Sequence, residues 1–120
     1  MARRVDKPWG HEIIWAEGGA YVGKVLVIER GRRLSLQYHE RKDETVLVLS
    51  GRLRVDLQGQ DGEMIELILG PGEHHRIPAE TVHRFGAAED RVELVEVSTA
   101  EIDDVVRLED DFGREGTAAP

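Results

Sequence analysis

Apolar and charged residues alternate along Arg52-Leu53-Arg54-Val55-Asp56-Leu57, the pattern of a strand with one face buried and the other in water. Short apolar stretches recur at Ile13-Ile14-Trp15, Tyr21 to Ile28, Leu34 to Tyr38, Val46 to Leu49, Met64 to Leu69, His75 to Ile77 and Val92 to Val97. Turn formers separate them: Gly18-Gly19, Gly31, Gly51, Gly59 with Asp61-Gly62, Gly70-Pro71-Gly72 and Pro78. This spacing predicts about eight to ten strands, hence an all-β sandwich or barrel, with the double-sheet jelly roll fitting best. Ala100 to Leu108 fits a strand or a short helix, and residues 115–120 read as a frayed tail. No internal repeat or domain boundary interrupts the chain, so 1–120 is expected to be one domain with a barrel core over about 10–100 and an acidic segment over 101–114.

At 120 residues the chain can bury one sizeable core but not two. It has no cysteine, which excludes disulfides, zinc fingers and thiol catalysis. The basic start Met1-Ala2-Arg3-Arg4 is followed by no apolar run. Neither a signal peptide nor a membrane span is therefore expected, and the cytoplasm is the expected compartment. The formal charge of −8 argues against nucleic acid as a partner, because phosphate-backbone binding needs a basic footprint. Residues 101–115 alone carry a net −5, leaving −3 on the remainder. A small phosphorylated molecule is thus not repelled by the body of the chain.

Gln37 and His39, two residues apart, leave the same face of an extended strand. Glu44 follows after enough chain for a tight turn and a return on the neighbouring strand, and His83 can add a second imidazole. These are nitrogen and oxygen donors suited to a divalent metal such as zinc, manganese, iron, cobalt or nickel. The alternative is a polar barrel interior in which the histidines are hydrogen-bonded and no metal is held.

The spacing Gly31-x5-Gln37-x-His39-x4-Glu44-x6-Gly51 resembles the first cupin motif, with glutamine where most cupins have their first histidine. Gly72-x5-Pro78 and His83 resemble the second, with Glu80 where that motif usually has glycine and Ala87 where it often ends in asparagine. Lys7-Pro8-Trp9-Gly10, Leu34 to His39, Ile77-Pro78 with Val82-His83-Arg84, Leu94 to Val97, and Asp103 through Arg114 sharpen the match. Together they resemble type II mannose-6-phosphate isomerases, in particular the C-terminal cupin of bifunctional enzymes that also carry a mannose-1-phosphate guanylyltransferase. The resemblance covers roughly residues 7–114 and implies a single-domain cupin, the double-stranded β-helix or jelly-roll barrel. It implies one divalent metal, zinc first, held by Gln37, His39, Glu44 and His83. It also implies interconversion of mannose 6-phosphate and fructose 6-phosphate through an enediol, and a homodimer. No glycine-rich nucleotide loop precedes the domain, so chemistry on GTP is not expected.

Arg41 falls where the family carries an arginine, which implies a catalytic role against enediolate charge; the other reading is a hairpin arginine in solvent. Lys24, on the strand before the motif, is read either as a contact to phosphate or enediolate or as a solvated strand lysine. Glu40 and Thr45 occupy places where the family has histidine. That departure points to a second reading, a non-catalytic metal-containing cupin that binds a sugar or sugar nucleotide. A third reading, another cupin enzyme such as a dioxygenase, ranks last because Gln37 breaks the three-histidine, one-glutamate set common there. His74 and His75 lie outside the ligand spacing and read as surface or rim histidines, His11 has no evident partner, and Arg84 reads as structural. The acidic tail is read as a solvated face or as closing the barrel mouth, with Arg107 pairing to local carboxylates and Glu109 or Asp110 as a proton shuttle. Ile13, Ile14 and Trp15 fit either a dimer interface or the core.

Overall fold

The computed structural model describes residues 2–117. Twelve strands run in chain order: β1 (Arg3–Lys7), β2 (Gly10–Glu17), β3 (Val22–Ile28), β4 (Leu36–Tyr38), β5 (Glu44–Ser50), β6 (Leu53–Gln58), β7 (Met64–Leu69), β8 (His74–Ile77), β9 (His83–Gly86), β10 (Val92–Ser98), β11 (Val106–Glu109) and β12 (Gly116–Thr117). They form two six-stranded antiparallel sheets, ordered β1-β2-β3-β10-β5-β8 and β12-β11-β4-β9-β6-β7. No helix occurs among the described residues, so none is long and apolar enough to cross a membrane. The expected all-β jelly roll is what the chain forms.

The core lies between the sheets. Leu26, Ile28, Val46, Val48, Leu53, Val55, Ile77, Phe85, Val92 and Leu94 are buried there in one cluster with Trp9. On β6 the alternation read from sequence holds, Leu53 and Val55 pointing inward and Arg54 outward. Gly51, which joins β5 to β6, has φ +78° and sits so close to the Arg91 carbonyl oxygen that a Cβ would collide with it. Glycine is required there on both counts.

Two strands before the C-terminal segment escape the sequence pattern. β1 carries Val5 as its one apolar residue and survives as an edge strand through its ladder to β2. β9 is short and carries His83, Arg84, Phe85 and Gly86, all buried, with no alternation to detect. The segment read as strand or helix over Ala100 to Leu108 divides: residues 101–104 turn, and the strand begins at Val106. Within the stretch read as a frayed tail, Gly116–Thr117 pairs with β11, and 118–120 lie outside the described residues.

Candidate metal centre

His39 ends the stretch after β4, Glu44 opens β5 and His83 opens β9. The register sets Gln37 opposite His83, bringing the two motif segments side by side. His83 Nε2 lies 3.0 Å and His39 Nε2 3.6 Å from the same oxygen, Glu44 Oε1. The three donor atoms fall within 4.8 Å of one another, and all three residues are buried.

The far side of each imidazole fixes its tautomer. His83 Nδ1 is 2.9 Å from the Thr81 carbonyl oxygen, and His39 Nδ1 lies against the Asp104 carbonyl oxygen. A carbonyl only accepts, so each Nδ1 carries the hydrogen and a neutral ring turns a bare lone pair at Nε2 toward Glu44. His39 Nε2, His83 Nε2 and Glu44 Oε1 consequently have no hydrogen-bond partner. Three buried acceptors facing one another repel unless a cation lies between them. Backbone-anchored imidazoles with outward Nε2 lone pairs are the usual preparation for a metal. At metal–donor bonds of about 2.0–2.2 Å, donors on one ion sit roughly 3–3.5 Å apart, close to the 3.0 and 3.6 Å that separate the imidazoles from Glu44 Oε1. The residues present fit a divalent ion.

Burial alone would push the Glu44 carboxyl up, but the Lys42 ammonium is the foremost group opposing it, and Glu44 lies well below the usual carboxylate range. Lys42 Nζ stands 3.3 Å from Glu44 Oε2 and 3.3 Å from Glu96 Oε2. Burial opposes its charge as well; Glu96 and Glu44 outweigh that and keep the ammonium above its ordinary value. Glu96 differs. Its own burial, reinforced by the charge on Glu44, raises its carboxyl, and one of its oxygens lacks a hydrogen-bond partner.

Gln37, His39, Lys42 and Glu96 line a cavity of about 60 Å³ together with Glu12, Lys24 and residues of the N- and C-terminal segments. Gln37 points its amide oxygen at Ser35 Oγ, which donates to it at 2.6 Å. Lys24 is buried and paired to Glu12 at 3.4 Å, so it faces the interior and is not a solvated strand lysine. Arg41 is exposed on the loop between β4 and β5 and does not line the cavity.

The C-terminal segment closes the mouth of the barrel. The Asp104 carboxylate accepts the backbone amides of Glu40, Arg41 and Lys42 at 2.9, 2.7 and 2.9 Å. Burial pushes that carboxyl up, yet the three amides win and leave it below the usual carboxylate value. Arg107 does not pair with a local carboxylate as expected; Asp110 is taken by Arg114 at 2.7 Å. Arg84 is structural, donating to the carbonyls of Leu34 and Glu109. His74 is exposed and His75 half-buried on β8, apart from the cluster; His11 is buried on β2. Sequence reasoning missed Lys42, Glu96 and Asp104. Sequence marks neither of the first two: Glu96 is one charge on an alternating strand, and Lys42 lies in the loop before β5.

Two facing antiparallel sheets with a buried His-Glu-His cluster at one end define a cupin. Solved structures agree on the fold: oxalate decarboxylase from Bacillus subtilis matches with a TM-score of 0.79 at 16% identity, over 89% of this chain and 30% of that one. CapF matches with a TM-score of 0.79 at 18% identity, over 91% and 34%. The chain belongs to the mannose-6-phosphate isomerase C-terminal family, whose model matches residues 1–110. It is 34% identical to the mannose-1-phosphate guanylyltransferase ManC of Salmonella typhimurium, over 95% of this chain and 24% of that protein. It is 32% identical to the alginate biosynthesis protein AlgA of Pseudomonas aeruginosa, over 97% and 24%. The chain thus spans about a quarter of the length of these relatives.

Proposed function

We propose that the chain is a metal-dependent sugar-phosphate isomerase that interconverts mannose 6-phosphate and fructose 6-phosphate through an enediolate. The observation that carries this reading is the trio of unpartnered acceptors on His39, His83 and Glu44 beside a cation-lined cavity, in a chain of the isomerase C-terminal family. His39, Glu44 and His83, with Gln37 as a fourth donor, would hold one divalent ion: zinc first, then manganese, cobalt, nickel or iron. When bound, such an ion supplies Lewis acidity to a sugar carbonyl.

The protein's own groups handle protons and charge. Glu96 lines the cavity, its Oε2 3.3 Å from Lys42 Nζ, and is assigned to take the proton from C2 of the aldose and return it to C1. Lys24, buried beside it in the same cavity, offsets negative charge on the enediolate oxygens. Arg41 is assigned the same task on the strength of the family motif, from the loop fastened by Asp104. We propose that the chain works in the cytoplasm as a homodimer. Trp15, Leu47 and Val97 are exposed on the outer face of the first sheet, and equilibrium sedimentation at the monomer mass would remove the dimer.

A second reading, a non-catalytic cupin that binds a sugar or sugar nucleotide, is favoured by Glu40 and Thr45 standing where the family has histidine. One experiment separates the two: conversion of mannose 6-phosphate by metal-analysed protein, with chelator and with added zinc, cobalt or manganese. Chelator-sensitive turnover supports the isomerase, and a metal-loaded but inert protein supports the binding cupin. His39→Ala is expected to lose the metal, while Arg41→Ala is expected to keep it and lose turnover.

A further inference from the structure

We infer that Lys7, Arg107 and Arg114 form an anion subsite at the mouth of the cavity, built to take the phosphate of a phosphorylated sugar. The sugar's identity rests on the isomerase reading; the subsite rests on its own residues.

The three cations come from separate parts of the chain. Lys7 ends β1, Arg107 lies on β11 and Arg114 just precedes β12, and all three line the same cavity as His39 and Gln37. In a chain of formal charge −8, such a concentration of positive groups runs against the overall balance. The carboxylates around it are already committed. Glu12 pairs with Lys24, Asp110 with Arg114, and Asp104 with three backbone amides.

Arg107 is the informative member. It is 7% exposed and its Nε has no hydrogen-bond partner. It forms no ion pair within the described residues, and neither does Lys7. A buried guanidinium with a free donor beside two more cations destabilises the fold. Burial lowers Lys7 from its ordinary value against the opposing charge of Glu12, and Lys24, Arg107 and Arg114 add to the fall; burial and then Arg114 lower Arg107, with Asp110 opposing. An anion with several oxygens relieves all of this at once. The fixed fork of a guanidinium matches two phosphate oxygens, and a flexible ammonium can close on a third.

Placement suits a substrate held at both ends. Arg107 sits opposite Gln37, and Gln37 sits opposite His83. Three adjacent strands therefore carry the anion group, the cavity wall and the metal-type donor, about 4.8 Å apart at each step. A sugar whose phosphate is at one end of a six-carbon chain can reach from Arg107 toward His39 and His83. The subsite selects phosphorylated sugars over free ones.

Calorimetric titration of the full chain with inorganic phosphate tests this, on zinc-loaded and on chelator-stripped protein. Wild type is expected to bind with a Kd on the order of 1 mM in both forms, because the subsite is built from side chains. Arg107→Met and Lys7→Gln are each expected to weaken phosphate roughly tenfold while zinc content stays the same. Lys7 is half-buried at a strand end, so Lys7→Gln remains informative where Arg107→Met fails to fold. Absence of saturable phosphate binding to wild type, phosphate binding lost on chelation, or unchanged affinity in Lys7→Gln would overturn the subsite. Phosphate binding with no turnover of mannose 6-phosphate would leave the subsite standing and remove the isomerase.

Discussion

The two ends of the barrel interior are built from the same strands and made of opposite materials. Along β5 the inward residues run Glu44, Val46, Val48; along β3 they run Lys24, Leu26, Ile28; on β9 His83 precedes Phe85. β10 runs the other way, Val92 and Leu94 before Glu96, and its antiparallel register sets Glu96 beside Lys24 and Val46, and Leu94 beside Leu26 and Val48. The polar ends therefore coincide, as do the apolar ends. One end fills its space with side chains that need no partner. The other buries Lys42, Glu44, Glu96, His39 and His83 with several atoms unsatisfied. Stability is concentrated at the first end and chemistry at the second, and a substitution should behave according to the end it strikes.

The largest effect is expected at the apolar end. Phe85 is fully buried among the core residues and next to His83, ring centroids 5.3 Å apart. Phe85→Ala should cost about 3–5 kcal/mol in urea unfolding. A smaller loss there would mean that the core collapses around the cavity.

Lys42→Met tests the polar end and should cost about 3 kcal/mol near neutral pH, because it strands Glu44 and Glu96 without their shared cation. The pH dependence gives the sign. Lys42 is raised above its ordinary value in the fold, so its contribution is complete below the unfolded value of 10.5 and is lost only as pH rises through the folded one. The deficit in the variant should therefore persist at neutral pH and shrink on acidification toward 4.5 and below, as the carboxyls take up protons. A deficit independent of pH would show that the methylene stem of Lys42, and not its charge, is what matters.

The apolar end was legible in sequence and the polar end only half so. Strict alternation at Leu53-Arg54-Val55 marks a strand wherever it is placed, and His39, Glu44 and His83, which the fold gathers into one cluster, stood out by spacing. Lys42 and Glu96 did not, because a charge on an alternating strand ordinarily lies on the outer face; only the register of β10 against β3 and β5 turns Glu96 inward. Asp104 was hidden among the other acids of 101–115, since its role depends on three amides more than sixty residues earlier. Short β9 could not be read because all four of its residues are buried.

Asp104→Ala should cost about 2 kcal/mol, since the amides of Glu40, Arg41 and Lys42 lose an ionised acceptor. Asp104 is lowered in the fold, so its contribution is present above the unfolded value of 3.8 and lost as pH falls through the folded one. Denaturant midpoints of wild type and variant should converge in strong acid. Parallel curves down to that range would assign the effect to loop packing rather than to the charge.

Glu80 should give the smallest change, and one of opposite sign. It has φ +69°, the left-handed region, where the second cupin motif usually has glycine, and its amide donates to the His39 carbonyl at 2.7 Å. A side chain in that conformation costs roughly 1–2 kcal/mol, tolerated because the hydrogen bond between the two motifs needs this turn. Glycine removes the strain but adds backbone freedom to the unfolded chain, worth about 0.5–1 kcal/mol. Glu80→Gly should thus stabilise by less than about 1 kcal/mol, with metal content unchanged. A loss of stability would mean that the Glu80 side chain contributes at the mouth of the site. In that case the polar end would extend beyond the buried cluster into the turn that carries it.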